Sequence, residues 1–373
     1  MSKRLRLLVL LLAAVMAMES VMGCGSSAIE LEDYADTVVA TLGDYKIYLD
    51  EANYYARVDQ YSTEYYYSYY GYDIDGLWET EISSSLGTYE DYSKENVMAI
   101  IYQTYVLYAK AEELGLELSD AEIALIEEAV EDTMEAIPEI MVQVTLITSD
   151  RLYEIMYVNA MAMKAYQYAI ADVDTEVTDD EAAQRTIDYI SIVVDDDDDE
   201  DEDDDLMTEE ELAYYLYDLI DAGEEMSDEL IEDYEDDYSI YYYSLTYGED
   251  DYTSTLAETG LEMETDEYCV VYDEDNDYWY VIYCVTDFDE EATEEEKEEI
   301  IEEREDELFE EVYAEWVKDA GNFKVKEKIW ALVTYDEQVY GVEVEDDDED
   351  ETEEETEEET EDETEEETEE ETE

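Results

Sequence analysis

Histidine is absent from the 373 residues, only 16 are lysine or arginine, and proline occurs once. Without an imidazole there is no Ser-His-Asp or Cys-His nucleophile, no histidine general base and no histidine-ligated zinc. Set against 119 aspartates and glutamates, the few bases leave a formal net charge of −103. Such a chain repels phosphate backbones, which excludes nucleic acid as a partner. Neither a cofactor nor a specific metal site is expected. What is plentiful is core material: 46% of the residues are hydrophobic, 40 are tyrosine and 13 methionine. That is too much apolar matter for a wholly disordered acidic chain. At this length a folded chain buries roughly 75% of its unfolded surface, and more than one domain is the default.

The acid is unevenly spread. Residues 195–205 are eleven consecutive acids, and residues 345–373 hold 23 acids with six threonines in a four-residue repeat. Neither tract has an apolar residue to bury, so both read as solvated. Asp199, Asp201, Asp203 and Glu210 echo a calcium loop. Asp204, however, stands where that loop needs its glycine, so a solvated charge run is the reading preferred there, with diffuse, low-affinity divalent-cation binding as the alternative.

The N-terminus reads as an address. Lys3, Arg4 and Arg6 precede a twelve-residue apolar run, Leu7 to Met18. A bilayer span takes roughly 20 residues, so this is a signal-peptide core. It ends in Val21-Met22-Gly23-Cys24-Gly25, which resembles a bacterial lipobox. The resemblance implies cleavage before Cys24 and lipid on its thiol, hence an extracytoplasmic, membrane-anchored protein. Residues 1–23 are then the signal and 24–36 a tether.

Helix signals dominate residues 37–184. A strand-like Lys46-Ile47-Tyr48 leads to a tyrosine-rich helix opened by Asp50, and 71–93 reads as a loop containing Trp78. A helix from about Lys94 to Leu114 stops at Gly115, and Ser119 with Glu122 makes a capping box for the next. Pro138 ends or kinks that helix, Ser149 opens a third, and Thr178 with Glu181 caps a short one. The β-branched run from Thr186 to Val194 then reads as a strand. Thr208 with Glu211 caps a helix ending at Gly223, and Ser227 opens another to about Asp237. Residues 268–284 read as a hairpin turning through residues 273–277. If the turn centres on Asn276 and Asp277, Cys269 and Cys284 stand opposite and are candidates for a disulfide. A one-residue slip would separate them, and the reduced pair is the reading preferred. Thr293 with Glu296 caps a long helix to Gly321, and Phe323 to Val333 is strand-like.

Several of these segments resemble the PrsA/SurA-type extracytoplasmic foldases. After the lipobox, Val38 to Ile47 looks like the family's opening strand before a helix, and Ala111 to Glu122 like its A-x-x-x-G-I-x-[VL]-[ST]-x-x-E motif. Val177 to Glu181 looks like the V-[ST]-x-x-E preceding an inserted parvulin domain, and Asp277 to Val285 like that domain's closing strand. The resemblance implies an α+β fold. A helical, SurA-like chaperone domain (37–184, completed by 291–335) would carry an inserted parvulin-like β-α-α-β-β lobe at 185–290 and a disordered acidic tail at 336–373. It implies binding of unfolded secreted polypeptides at the membrane surface and, in active members, prolyl isomerisation. Where parvulins carry two histidines, this chain has Tyr189 on the first strand and Trp279 or Tyr280 on the closing strand. Isomerisation needs no nucleophile, but it does need a preorganised polar site, so weak or absent activity is expected.

Tyr65, Tyr66 and Tyr67 are candidate client contacts, as are Tyr241, Tyr242 and Tyr243, because tyrosine offers amphipathic contact at low entropic cost. Met156, Met161 and Met163 either line a client groove or fill a helix core. The rival reading is a non-catalytic acidic surface lipoprotein binding cations, cell-wall polymer or a basic partner.

Overall fold

The computed structural model describes residues 31–194, 206–249 and 251–341. Cys24 and both acidic tracts lie outside these residues. Among the described residues no helix is long and apolar enough to cross a membrane.

After a 3-10 turn at Leu31–Tyr34, which packs on the helical core within the stretch expected to be a tether, the chain forms a hairpin of β1 (Val38–Leu42) and β2 (Tyr45–Tyr48), turning at Gly43 with φ +57°. Then comes α1 (Leu49–Tyr69). A small hairpin, β3 (Glu81–Ser83) with β4 (Gly87–Thr88), leads into α2 (Tyr89–Leu114), so the expected loop is partly strand and the helix starts five residues before Lys94. The reason is local: Thr88 and Asp91 form a reciprocal capping box that the sequence reading passed over. Gly115, at φ +68°, ends α2 in the left-handed conformation that glycine tolerates best. Ser119 and Glu122 cap α3 (Asp120–Ala136), and Pro138 separates it from α4 (Glu139–Thr145). The cap of α5 (Ser149–Ala169) is Thr148, one residue before the expected Ser149.

Two expected caps fall differently. Thr178 accepts from the Glu181 amide but closes only a turn. Thr293 is buried inside its helix, and its hydroxyl accepts from the Gln184 amide.

The sheet lobe begins with β5 (Arg185–Val193), then α6 (Glu209–Asp221) and the single turn α7 (Asp228–Ile231), much shorter than the helix expected after Ser227. It continues through β6 (Ile240–Tyr247), α8 (Thr255–Leu261), β7 (Tyr268–Asp273) and β8 (Tyr278–Thr286). The lobe is therefore β-α-α-β-α-β-β, which corrects the expected β-α-α-β-β by one strand and one helix. Its four strands are antiparallel in the order β6-β5-β8-β7. One face, with Ile190, Ile192 and Val281, packs on Leu212 and Leu216 of α6. The other, with Ile187, Ile282 and Cys284, packs on Leu256 and Ala257 of α8.

The chain then returns through α9 (Glu290–Asp319), capped by Asp289, whose carboxylate accepts from the Glu291 and Ala292 amides. Its Phe309 and Tyr313 complete the helical core formed by Ile101, Met161 and Ala165. The last strand is only β9 (Phe323–Val325), antiparallel to β1, and the strand-like run continues as the short α10 (Glu327–Trp330) and a turn. Packing continues past the expected tail boundary at 336: Val339 is buried, as is Tyr335 just before the boundary. Glu64 explains this. One carboxylate oxygen accepts from the amides of Val339 and Tyr340, both at 2.8 Å, and the other from Gln60 and Trp78.

Candidate functional site

The strand register decides which predicted residues meet. Tyr189 on β5 lies opposite Tyr243 on β6 and Ile282 on β8, while Tyr280 faces Ser191. With the side-chain period of two, Tyr189, Tyr243, Tyr241 and Tyr280 share the face on which α8 packs, Tyr241 and Tyr243 lying exposed on it. The Tyr189 ring is 5.6 Å from Tyr243 and 5.9 Å from Tyr280, and Tyr241 stacks on Tyr243 at 6.3 Å. Trp279 is on the opposite face, against Tyr214 of α6 and Tyr272 of β7. Of the two closing-strand alternatives, Tyr280 is therefore the one beside Tyr189.

Burial pushes the Tyr189 hydroxyl upward, and burial, with Asp273 and Tyr189 nearby, pushes Tyr280 to about 12. Both stay protonated at neutral pH. They can exchange hydrogen bonds with a peptide and pack on its side chains, but they cannot serve as general bases.

The cysteines lie on this same face without pairing. Cys269 stands opposite Ile282, and the Cys284 amide bonds to the Glu267 carbonyl, so the hairpin turns one position earlier than direct opposition requires. Both thiols are free; Cys284 is buried and Cys269 partly so. Desolvation pushes Cys269 up to about 11.

On the helical lobe, the tyrosine run at the end of α1 divides by helical phase. Tyr67 turns inward, 6.2 Å from Tyr89, while Tyr65 and Tyr66 are exposed. Tyr69, Tyr70 and Tyr72 are exposed beside them, which the sequence reading did not single out. Tyr66 and Tyr70 lie 4.8 Å apart, Tyr69 and Tyr70 5.2 Å, and Tyr65 contacts both Tyr69 and Tyr340. The result is a connected aromatic patch on an acidic surface. The methionines do not form one groove: Met161 is in the core, Met156 packs partly on the α3–α5 contact, and Met163 is exposed.

A second location had no local signal in the sequence. A cavity of about 350 Å³ opens between β2, α1, α2 and α5. Its walls include Tyr45, Tyr105, Tyr108 and Tyr157, with Glu51 and Arg151 also lining it. Glu51 is only 4% exposed, and the Tyr105 hydroxyl donates to its two oxygens at 2.9 and 3.0 Å. Desolvation raises the Glu51 carboxyl to about 7, against the lowering effects of Tyr105 and Arg151. Arg151 itself is engaged by Asp50 at 2.8 Å and by Glu154, with its guanidinium 4.7 Å from the centre of the Tyr48 ring.

No family model matches the sequence, and no curated protein does either. Among solved structures, PrsA from Bacillus subtilis is 17% identical over 64% of this chain and 89% of its own, with a TM-score of 0.22. The foldase protein PrsA from Streptococcus pneumoniae is 12% identical over 79% of this chain and 97% of its own, TM-score 0.29. The peptidylprolyl isomerase PrsA from Bacillus cereus is 15% identical over 68% and 96%, TM-score 0.29. It is PrsA structures that the chain is similar to. Among the described residues no cluster of three or more acidic or cysteine side chains is arranged to hold a metal ion. The acids of the calcium-like loop lie outside those residues, except Glu210 on α6.

Proposed function

We propose that the chain is a foldase-like holding protein, anchored outside the cytoplasmic membrane by lipid on Cys24, which covers unfolded secreted polypeptides. The observation that carries this reading is the patch of Tyr65, Tyr66, Tyr69, Tyr70 and Tyr72. Four of these exposed rings touch in the pairs Tyr65–Tyr69, Tyr66–Tyr70 and Tyr69–Tyr70, and Tyr72 joins them through Tyr67; together they form amphipathic surface of the kind that engages extended chains without a fixed sequence. The negative charge around the patch keeps loaded complexes apart. The sheet lobe contributes little or no isomerase activity, since its face offers protonated tyrosines where a polarised, preorganised site is needed.

The test is light scattering of an aggregation-prone client with the mature chain. Suppression is expected at equimolar ratio and should weaken when Tyr65, Tyr66, Tyr69 and Tyr70 are replaced together by serine. No suppression at any ratio overturns the reading. A proline-peptide assay addresses the sheet lobe separately, and a rate matching an active parvulin would overturn the assignment of weak activity.

A further inference from the structure

We propose that the tyrosine-walled cavity of the helical lobe receives a lysine or arginine side chain of the bound polypeptide, with Glu51 as its counter-charge. This rests on the holding function above and names the client feature that one part of the protein selects.

The argument starts from Glu51. A carboxylate removed from water is unfavourable by several kcal/mol unless a cation offsets it. Among the described residues no ammonium or guanidinium lies within ion-pair distance of Glu51; Arg151 acts on it only from farther off and does not offset its desolvation. Its hydrogen-bond partners are neutral, the Tyr105 hydroxyl and the Tyr48 backbone, and a glutamine could accept from both. The property peculiar to glutamate here is its charge, and that charge lines an open cavity.

The nearby cations are otherwise placed. Arg151 is held by Asp50 and Glu154, and Lys46 is exposed at the rim. Arg151 also shows what the walls accept, because its guanidinium lies over a tyrosine face. Such cation–π contacts are worth about 0.5–2 kcal/mol, more when water is excluded.

The walls are set in advance. The Tyr45 and Tyr108 hydroxyls both donate to Glu112, at 2.6 and 3.2 Å, and the rings of Tyr45, Tyr105 and Tyr108 lie within 6.3 Å of one another. An alkyl stem with a cationic head matches this interior: largely aromatic walls, with Glu51 as the lining carboxylate that Arg151 does not already pair, since Glu154 is engaged by Arg151. The volume is at the low end of the range for small-ligand sites, enough for one side chain and not for a folded partner. The surrounding field draws basic segments toward the cavity.

The probe is a blocked pentapeptide with one central lysine, titrated calorimetrically into the mature chain beside its norleucine counterpart. The lysine peptide is expected to bind at least tenfold more tightly. Glu51→Gln should abolish that preference while the melting temperature stays equal or rises. Glu117→Gln, which removes an exposed acid, should preserve the preference, because general attraction to the acidic surface is nearly unchanged. Equal binding of the two peptides, or a preference that survives in Glu51→Gln, overturns the proposal. If aggregation suppression persists without any lysine preference, the cavity assignment alone falls. A lysine preference without suppression overturns the holding function alone.

Discussion

Asp50, Glu51, Arg57 and Glu64 are all buried in the helical lobe, along with Asn53 and Gln60, whereas among the described residues of the sheet lobe the buried polar side chains are Ser191 and Asp273. The contrast follows from how each lobe defines its geometry. In the sheet lobe an eight-pair register between β5 and each neighbour fixes which side chains face which helix, so apolar packing completes the structure. In the helical lobe, α1 presents a polar stripe, Asn53, Arg57, Gln60 and Glu64, spaced three or four residues apart on one face. Helix packing alone leaves sliding and rotation loosely defined, and directional contacts from this stripe remove that freedom. Asn53 binds the end of α4 through the Val144 and Thr145 carbonyls, and Gln60 and Glu64 bind residues 337–340. The stripe also supplies the anchor from which the acidic tail departs, beside the exposed tyrosines.

The largest expected break in this comparison is Glu64→Ala. It leaves the Val339 and Tyr340 amides, the Trp78 indole and the Gln60 amide without their acceptor in a buried place. The loss should be about 3–5 kcal/mol, confined to the helical lobe. Urea unfolding with hydrogen exchange reads both quantities: protection at residues 333–341 and across α1 should fall, while β5 and β8 keep theirs. Equal loss of protection in both lobes would show that the stripe does not act locally.

Glu51→Gln is expected to act in the opposite direction and to depend on pH. The folded carboxyl holds its proton to about pH 7, whereas its ordinary value is 4.5. Between those values the folded state binds the extra proton, so stability falls as pH rises through the window, and the penalty is complete above it. The difference corresponds to at most about 3 kcal/mol. The glutamine variant should therefore match the parent near pH 4.5 and exceed it above pH 7. Melting curves at both pH values test this, and since the two proteins share every other acid, subtracting them cancels the general self-repulsion. A gap that stays constant with pH would contradict the buried-carboxylate account.

Much of the lobe order was legible because its signals are local. Ser119 with Glu122 and Thr208 with Glu211 announce two helices within four residues each, and both capping boxes are formed. β6 was missed because it lacks apolar alternation: Tyr241 and Tyr243 are exposed on one face, and Ser244 and Thr246 stand on the other. Tyr189 and Tyr280 could be placed on strands, but which closing-strand residue faces Tyr189 depends on the register, which the turn position sets. The buried acids were illegible for a different reason. Among 119 acids nothing nearby distinguishes Glu64 from a solvated neighbour; its acceptor role is decided by amides 275 and 276 residues away.

The smallest effects provide the sharpest control on the comparison, since the two lobes carry matched local devices. Ser119 opens α3 in the helical lobe and Thr208 opens α6 in the sheet lobe, each accepting from the third helical amide while that residue's glutamate reaches back to the cap. Alanine at either cap should remove about 1 kcal/mol. The consequences should differ in place. Thr208→Ala loosens the helix whose Leu212 and Leu216 cover one face of the sheet, so exchange should rise at Ile190 and Val281. Ser119→Ala loosens the packing of Ile126 and Val130 on Leu152 and Ile155, and leaves the sheet unchanged. The lobes are joined where Asp289 accepts from Thr186 and its amide donates to the Gln184 carbonyl. If that joint couples them tightly, each cap variant will shift a single shared transition by the same amount. Two transitions, each moved by one variant only, would establish that the polar-stripe lobe and the register-built lobe hold their folds separately.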